Sequence, residues 1–133
     1  MDDEAAVRRA AAELVAAFGE HRVDDYFDHF ADSATFVFHH VPRVLHSRAE
    51  YRELWHRWER DDDFRVRDCE STDAVVTVLG DVAVYTHDVR TTVSTSEGED
   101  TLRERETIVF TRSGDGWLAV HEHLSPHPET GGA

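Results

Sequence analysis

Hydrophobic and polar positions along the chain change their period once, near Phe64. Before it, apolar residues recur every three or four positions; after it, they alternate with polar ones. Asp2 to Phe18 predicts a helix. Val7, Ala11, Leu14, Val15 and Phe18 share one face, alanines fill most of the rest, and acidic residues crowd the first turn, where they suit the helix dipole. Gly19 is placed to stop it. A shorter helix is expected over Val23 to Phe30, with Tyr26, Phe27 and Phe30 as its apolar stripe and Asp32-Ser33 breaking the pattern. Ala34 to His40 holds the β-formers Thr35, Phe36, Val37 and Phe38 and predicts a strand that Pro42 ends, with Val44 and Leu45 as a short return strand. Ser47, with Glu50 three residues on, forms a capping box for a helix from Arg48 to about Arg60. Tyr51, Trp55 and Trp58 recur there at i, i+4 and i+7 with Leu54 beside them, an aromatic face that needs a large surface to cover it.

The alternating part predicts four strands: Phe64 to Leu79 (interrupted near Ser71-Thr72), Val82 to Thr95, Thr101 to Arg112, and Trp117 to Ser125. Gly80-Asp81, Glu97 to Asp100 and Ser113 to Gly116 separate them with turn chemistry, and links this short make an antiparallel meander. The fold class is therefore α+β: N-terminal helices packed against a strongly curved, mostly antiparallel sheet, closing a cone-shaped barrel with an internal pocket. One domain is expected over residues 1–125, with 126–133 as a flexible tail.

Charge narrows the function. The chain has 133 residues and a formal net charge of −14, and all 14 of its positive side chains are arginines. Lys, Asn and Gln are absent, which excludes Schiff-base lysine chemistry and side-chain amides as oxyanion donors. No basic stripe exists to release counterions from a phosphate backbone or to meet an anionic membrane, and no apolar run reaches the length of a membrane span. Met1-Asp2-Asp3-Glu4 is the opposite of a positively charged signal-peptide start, so a cytoplasmic location is expected. Cys69 stands alone, leaving no internal disulfide and no cysteine metal cluster, and no catalytic base is assignable to it as a nucleophile. Carboxylates, tyrosines and ten histidines remain for proton chemistry.

The strand faces distribute these groups. On the third long strand Leu102, Glu104, Glu106, Ile108 and Phe110 form the bulkier apolar row and are placed inward, opposite Arg103, Arg105, Thr107, Val109 and Thr111. On the second, Ala83, Tyr85, His87, Val89 and Thr91 share a face, and periodicity does not say which. On the last, Trp117, Ala119, His121, His123 and Ser125 alternate with Leu118, Val120, Glu122 and Leu124.

The ending from Gly116 to Ser125, Gly-Trp-Leu-Ala-Val-His-Glu-His-Leu-Ser, resembles the G-x-W-x-x-x-H-x-H-x-S ending of the SnoaL-like and kinase-association subgroups, shifted by one in the turn. Gly80-Asp81-Val82-Ala83 is similar to their G-D-x-A strand start, and Arg105-Glu106-Thr107 stands before Ile108-Val109-Phe110 as in those proteins. The chain thus resembles the SnoaL-like, nuclear transport factor 2-like superfamily of cone-shaped α+β barrels over about residues 4 to 125. Ketosteroid isomerase, scytalone dehydratase, polyketide cyclases and a kinase association domain belong to it. The resemblance implies that Tyr85 and His87 face inward. It also implies that Glu122 faces the cavity while His121 and His123 face outward, into a sheet-to-sheet homodimer contact with Trp117, Ala119 and Val109.

The expected catalytic set is therefore His87, Glu122, Tyr85 and Glu106. A carboxyl in an apolar cavity acts as acid or base near neutrality, an imidazole titrates in range, and a tyrosine hydroxyl donates to a developing enolate. Trp55 and Trp58 are expected as an apolar wall or lid, Ile108 and Leu124 as lining, and His39, His40 and Arg43 at the mouth, where the guanidinium would clamp a carboxylate. These types suit cofactor-free cyclisation, isomerisation or dehydration of an apolar carbonyl compound. Two alternatives stay open. One is a non-catalytic ligand-binding or oligomerisation domain in which His87 and Glu122 simply pair in the core. The other is a metalloenzyme using His121 and His123 with His39 or His87. His21, His29, His46, His56 and His127 are read as surface residues.

Overall fold

The change of period marks the start of the four-strand meander in the computed structural model, which describes residues 2–128. The elements run α1 (Asp3–Gly19), α2 (Val23–Asp28), β1 (Phe30–Phe38), α3 (Arg48–Asp62), β2 (Arg65–Leu79), β3 (Val82–Thr95), β4 (Gly98–Ser113) and β5 (Gly116–Pro126). The Asp2 carboxylate caps α1 by accepting from the Ala5 N–H at 2.7 Å, and the Ser47 hydroxyl caps α3 by accepting from the Glu50 N–H at 3.1 Å. Glu50 completes the start of α3 one residue earlier than a capping box does, accepting from the His46 N–H at 2.9 Å. Gly19 does not stop α1 by turning left-handed; His21 takes that conformation, at φ 56°. Gly19 is needed because a Cβ there would meet the Cys69 backbone nitrogen at 3.1 Å, so it sets how closely α1 lies on β2.

The sheet order is β1-β5-β4-β3-β2, antiparallel from β2 to β5, with β1 joined parallel to β5. Phe30 opens β1 instead of closing α2, and Asp32-Ser33 falls at an irregularity inside that strand. The expected return strand at Val44-Leu45 is a single bridge between Phe36 and Leu45. The core lies between the three helices and the concave sheet face, centred on Phe27, Phe30, Phe36, Phe110, Ile108 and Trp55.

One irregularity decides which β5 residues face that core. Val109 pairs with His121, but Phe110 pairs with Ala119, so Val120 is an extra residue. Strict alternation puts Trp117 and Ala119 on the face of His121 and His123. The bulge reverses this: Trp117 and Ala119 are buried with Glu122 in the interior, while His121 and His123 point outward. The expected homodimer row is corrected accordingly, since Trp117 packs in the core under the Arg112 guanidinium, 4.6 Å from the ring. Two surface assignments also change. The His21 side chain is 7% exposed and bonds Glu59 at 2.8 Å. His127, inside the expected tail, is buried and donates its N–H to the Arg103 carbonyl at 3.1 Å. The rest of that tail, 129–133, lies outside the described residues. No helix among the described residues is long and apolar enough to cross a membrane.

Candidate active site

The concave face leaves a cavity of about 280 Å³. Its helix side is aromatic: Phe18 of α1, Tyr26 of α2, and Tyr51, Trp55 and Trp58 of α3. The i, i+4, i+7 spacing puts the last three on one face of α3. Trp55 is wedged among Phe27 at 5.7 Å, Phe64 at 5.1 Å and Tyr26 at 5.5 Å between ring centroids. The sheet side is acidic, carrying Glu104 and Glu106 of β4 and Glu122 of β5.

Register brings these groups together. His87 lies opposite Glu106 across β3 and β4, and Glu122 opposite Ile108 across β4 and β5, so the Glu106 and Glu122 carboxyls are diagonal neighbours. The two carboxyls interact electrostatically, and Tyr26 stands near enough to Glu122 to feel its charge. The Tyr26 and Tyr51 hydroxyls are 2.9 Å apart. On the other side His87 Nε2 meets Glu106 Oε1 at 2.7 Å, His87 Nδ1 meets the Ser71 hydroxyl at 2.6 Å, and that hydroxyl lies 3.4 Å from Tyr85. Two hydrogen-bonded groups flank Glu122: the Tyr26–Tyr51 hydroxyl pair, and the series from Glu106 through His87 and Ser71 to Tyr85.

Burial sets the protonation states. Loss of water pushes both carboxyls above the usual range, and the Glu106 charge adds to the rise at Glu122. Burial lowers His87 to about 4, so its ring is neutral. A neutral ring donates from Nε2 to Glu106 and accepts at Nδ1 from Ser71. Burial, with the Glu122 charge next, raises both Tyr26 and Tyr51 well above their ordinary value and keeps them as donors. Cys69 lines the cavity, but burial pushes its thiol up to about 12, which leaves no thiolate for nucleophilic attack.

Of the residues singled out in the sequence, Glu106, Glu122, Trp55, Trp58, His40 and Leu124 line the cavity. His87 and Tyr85 stand behind it, connected through Glu106 and Ser71. Ile108, expected as lining, is fully buried beside Glu122 and is not among the residues that line the cavity. Arg43 does not reach the lining and pairs with Glu50 at 3.2 Å. His39 sits at the mouth, its Nε2 2.5 Å from Glu104. His121 bonds Thr35 on the outer face at 2.7 Å, with the His123 ring at 6.3 Å, and neither meets His39 or His87. Sequence reading missed Tyr26 and Tyr51, whose apolar spacing hid their hydroxyls. It also missed Glu104, although the two-residue step to Glu106 was the available signal.

The family model described as a SnoaL-like domain matches residues 7–128. The chain belongs to the SnoaL-like domain family. No curated protein matches it by sequence. Among solved structures it is similar to an NTF2-like protein of unknown function in nutrient uptake from Rhodospirillum rubrum. That protein is 22% identical, with TM-score 0.78, covering 95% of this chain and 99% of the other. An NTF2-like protein from Cytophaga hutchinsonii is 11% identical, with TM-score 0.81, covering 96% and 100%. A provisionally named dehydratase of the NTF2-like family from Streptomyces avermitilis is 20% identical, with TM-score 0.73, covering 94% and 97%. At these identities the likeness shows the cone fold of the SnoaL-like chain and nothing finer.

Proposed function

We propose that this SnoaL-like chain is a small-molecule enzyme that performs acid/base chemistry on an apolar carbonyl compound, by isomerisation, dehydration or cyclisation. The observation that carries the reading is the pair of buried, neighbouring carboxyls, Glu106 and Glu122, that line an aromatic-walled cavity. Once the buried pair has lost one proton, the Glu106 carboxylate, oriented by His87, takes a proton beside the carbonyl, and the Glu122 carboxylic acid returns one. Tyr51, at the end of the hydroxyl pair, donates to the developing enolate oxygen, the role that sequence reading gave to Tyr85. The cavity, about 280 Å³, sits at the small end of the ~300–1,000 Å³ range of ligand pockets and suits a molecule of one or two rings. The dehydratase name of the Streptomyces relative supports the same class of chemistry.

The test needs no knowledge of the product. Small aryl ketones that quench tryptophan fluorescence are incubated in D2O, and exchange beside the carbonyl is followed by NMR. Exchange above buffer that is lost in Glu106→Gln and Glu122→Gln is expected. Ketones that bind without exchanging would overturn the catalytic reading and leave the alternative, a binding domain.

A homodimer through the outer sheet face belongs to the same proposal, and so does a cytoplasmic setting. The corrected outer face still carries Val109, His121 and His123, and Val75, Leu79 and Val82 are exposed on that side. Light scattering is expected to give twice the 15.2 kDa chain mass; a monomer at micromolar concentration removes the dimer.

A further inference from the structure

At the open end of the cone, β1 stops at Phe38 and the chain turns, with the Val41 N–H donating to the Phe38 carbonyl at 3.0 Å. In a continuing strand, His39 and His40 would point to opposite faces. The turn instead leaves both rings at the mouth, their centroids 5.3 Å apart. His40 stacks on Phe38, with 10° between the ring planes, and leans on Trp58 at 5.9 Å. His39 Nε2 lies 2.5 Å from Glu104 Oε2. One donor atom from each of His39, His40 and Glu104 falls within 4.8 Å of the other two.

We infer that His39, His40 and Glu104 form a binding site for a divalent transition-metal ion at the mouth of the cone. Two imidazoles and one carboxylate are a ligand set that zinc and ferrous sites use, with positions left open for water or substrate. Ligands about 2.1 Å from a tetrahedral ion stand about 3.4 Å from one another. The present separations reach that value by rotation of the two exposed histidine side chains, which exchanges the His40 stack on Phe38 and the His39 bond to Glu104 for bonds to the ion. Glu104 is buried on β4 and holds the third position fixed. Arg43, three residues beyond His40, is engaged with Glu50, so its charge is already countered. Glu104 and Glu106 point the same way two residues apart on β4, so a metal would stand one step nearer solvent than the carboxyl pair. A molecule seated in the cone would present its inner end to the carboxyls and an outer oxygen to the ion. The outward pair, His121 and His123, offers no third ligand among the described residues.

The site does not rest on the acid/base reading, and its test measures binding alone. The full chain, free of any affinity tag and stripped with chelator, is titrated with Co(II), followed by its visible ligand-field bands, and with Zn(II) by calorimetry. One equivalent with Kd below about 10 µM is expected. His39→Ala, His40→Ala and Glu104→Gln are each expected to weaken binding at least ~10-fold, while the His121→Ala/His123→Ala double variant leaves it unchanged. Unfolding midpoints of the same variants verify that they fold. Wild-type binding weaker than that bound overturns the site. So does full affinity in any of the three single variants, or loss of binding in the outer-face double variant.

Discussion

The two walls of the cavity are built from opposite materials. The helix wall is rings: Phe18, Tyr26, Tyr51, Trp55 and Trp58, packed mostly edge to face. The sheet wall carries Glu104, Glu106, Glu122 and Thr91. Neither makes a site alone. Carboxyls on an open sheet face would be solvated and ionised at neutral pH. Rings without them would form an ordinary core. The helix wall excludes the water that would otherwise solvate the carboxyls, and this raises their affinity for protons. The walls should therefore fail differently: the sheet wall by losing chemistry, the helix wall by losing the fold.

The largest expected effect is on the sheet wall. Glu122→Gln keeps shape but removes the transferable proton, so the deuterium-exchange rate should fall by ~10²–10⁴ with little change in stability. The contrasting substitution is Trp55→Ala. Trp55 is 1% exposed and touches rings from all three helices, so its removal should cost about 3–5 kcal/mol of folding stability, read as a lower denaturation midpoint. If Glu122→Gln unfolds the chain, or Trp55→Ala leaves stability intact while abolishing exchange, the division of labour is reversed.

A pH series sharpens the same contrast. His87 titrates near 4 when folded and near 6.5 when unfolded, so between those values the unfolded chain binds more protons. This term alone makes stability fall by about 3 kcal/mol as pH drops from 6.5 to 4. Glu122 and Glu106 work in the opposite sense. Burial raises their folded affinity for protons, Glu106 to about 8, so their contribution is present below the unfolded value of about 4.5 and is lost as pH rises from there through their folded values. Between 4.5 and 6.5 two carboxyls oppose one imidazole, and above 6.5 only the carboxyl terms remain. The melting temperature should fall gently across the first window and more steeply above it. Glu122→Gln should flatten the first window and lessen the alkaline fall. An unchanged profile in that variant would show that Glu122 is ionised in the folded chain.

Much of this arrangement was legible in the sequence. The α+β layout, the four-strand meander and the inward row of β4 follow from periodicity, because alternation maps directly onto sheet faces, whereas the inward row of β3 came from the family resemblance. The aromatic face of α3 follows from its spacing. Two things did not follow. The extra residue at Val120 cannot be seen in a run of alternating types, so Trp117 and Ala119 were put on the wrong face even though Glu122 was put on the right one. The mouth depends on where β1 ends. A strand drawn through His40 separates two histidines that the turn after Phe38 brings together. Tyr26 and Tyr51 were visible only as bulk, since their pairing depends on how α2 and α3 dock. In each case the missing information is long-range register, which local pattern does not carry.

The smallest expected effect distinguishes the two tryptophans of the helix wall. Trp55 is fully buried against Tyr26 and Tyr51, whereas Trp58 is half-buried, next to His40 at the open end. Replacing either with Phe keeps an aromatic ring, so stability should shift only modestly, less at Trp58 than at Trp55. Their fluorescence should separate them further. An apolar ligand entering the cone displaces water from the mouth before it reaches the interior, so Trp58 should report most of the quenching. Trp58→Phe is expected to remove the larger part of the ligand-induced signal while shifting Kd less than ~10-fold, which is less than 1.4 kcal/mol. Trp55→Phe should leave most of that signal in place. The reverse result would mean that ligands bypass the mouth, and the helix wall would then be a structural backing and not a lining that the ligand meets.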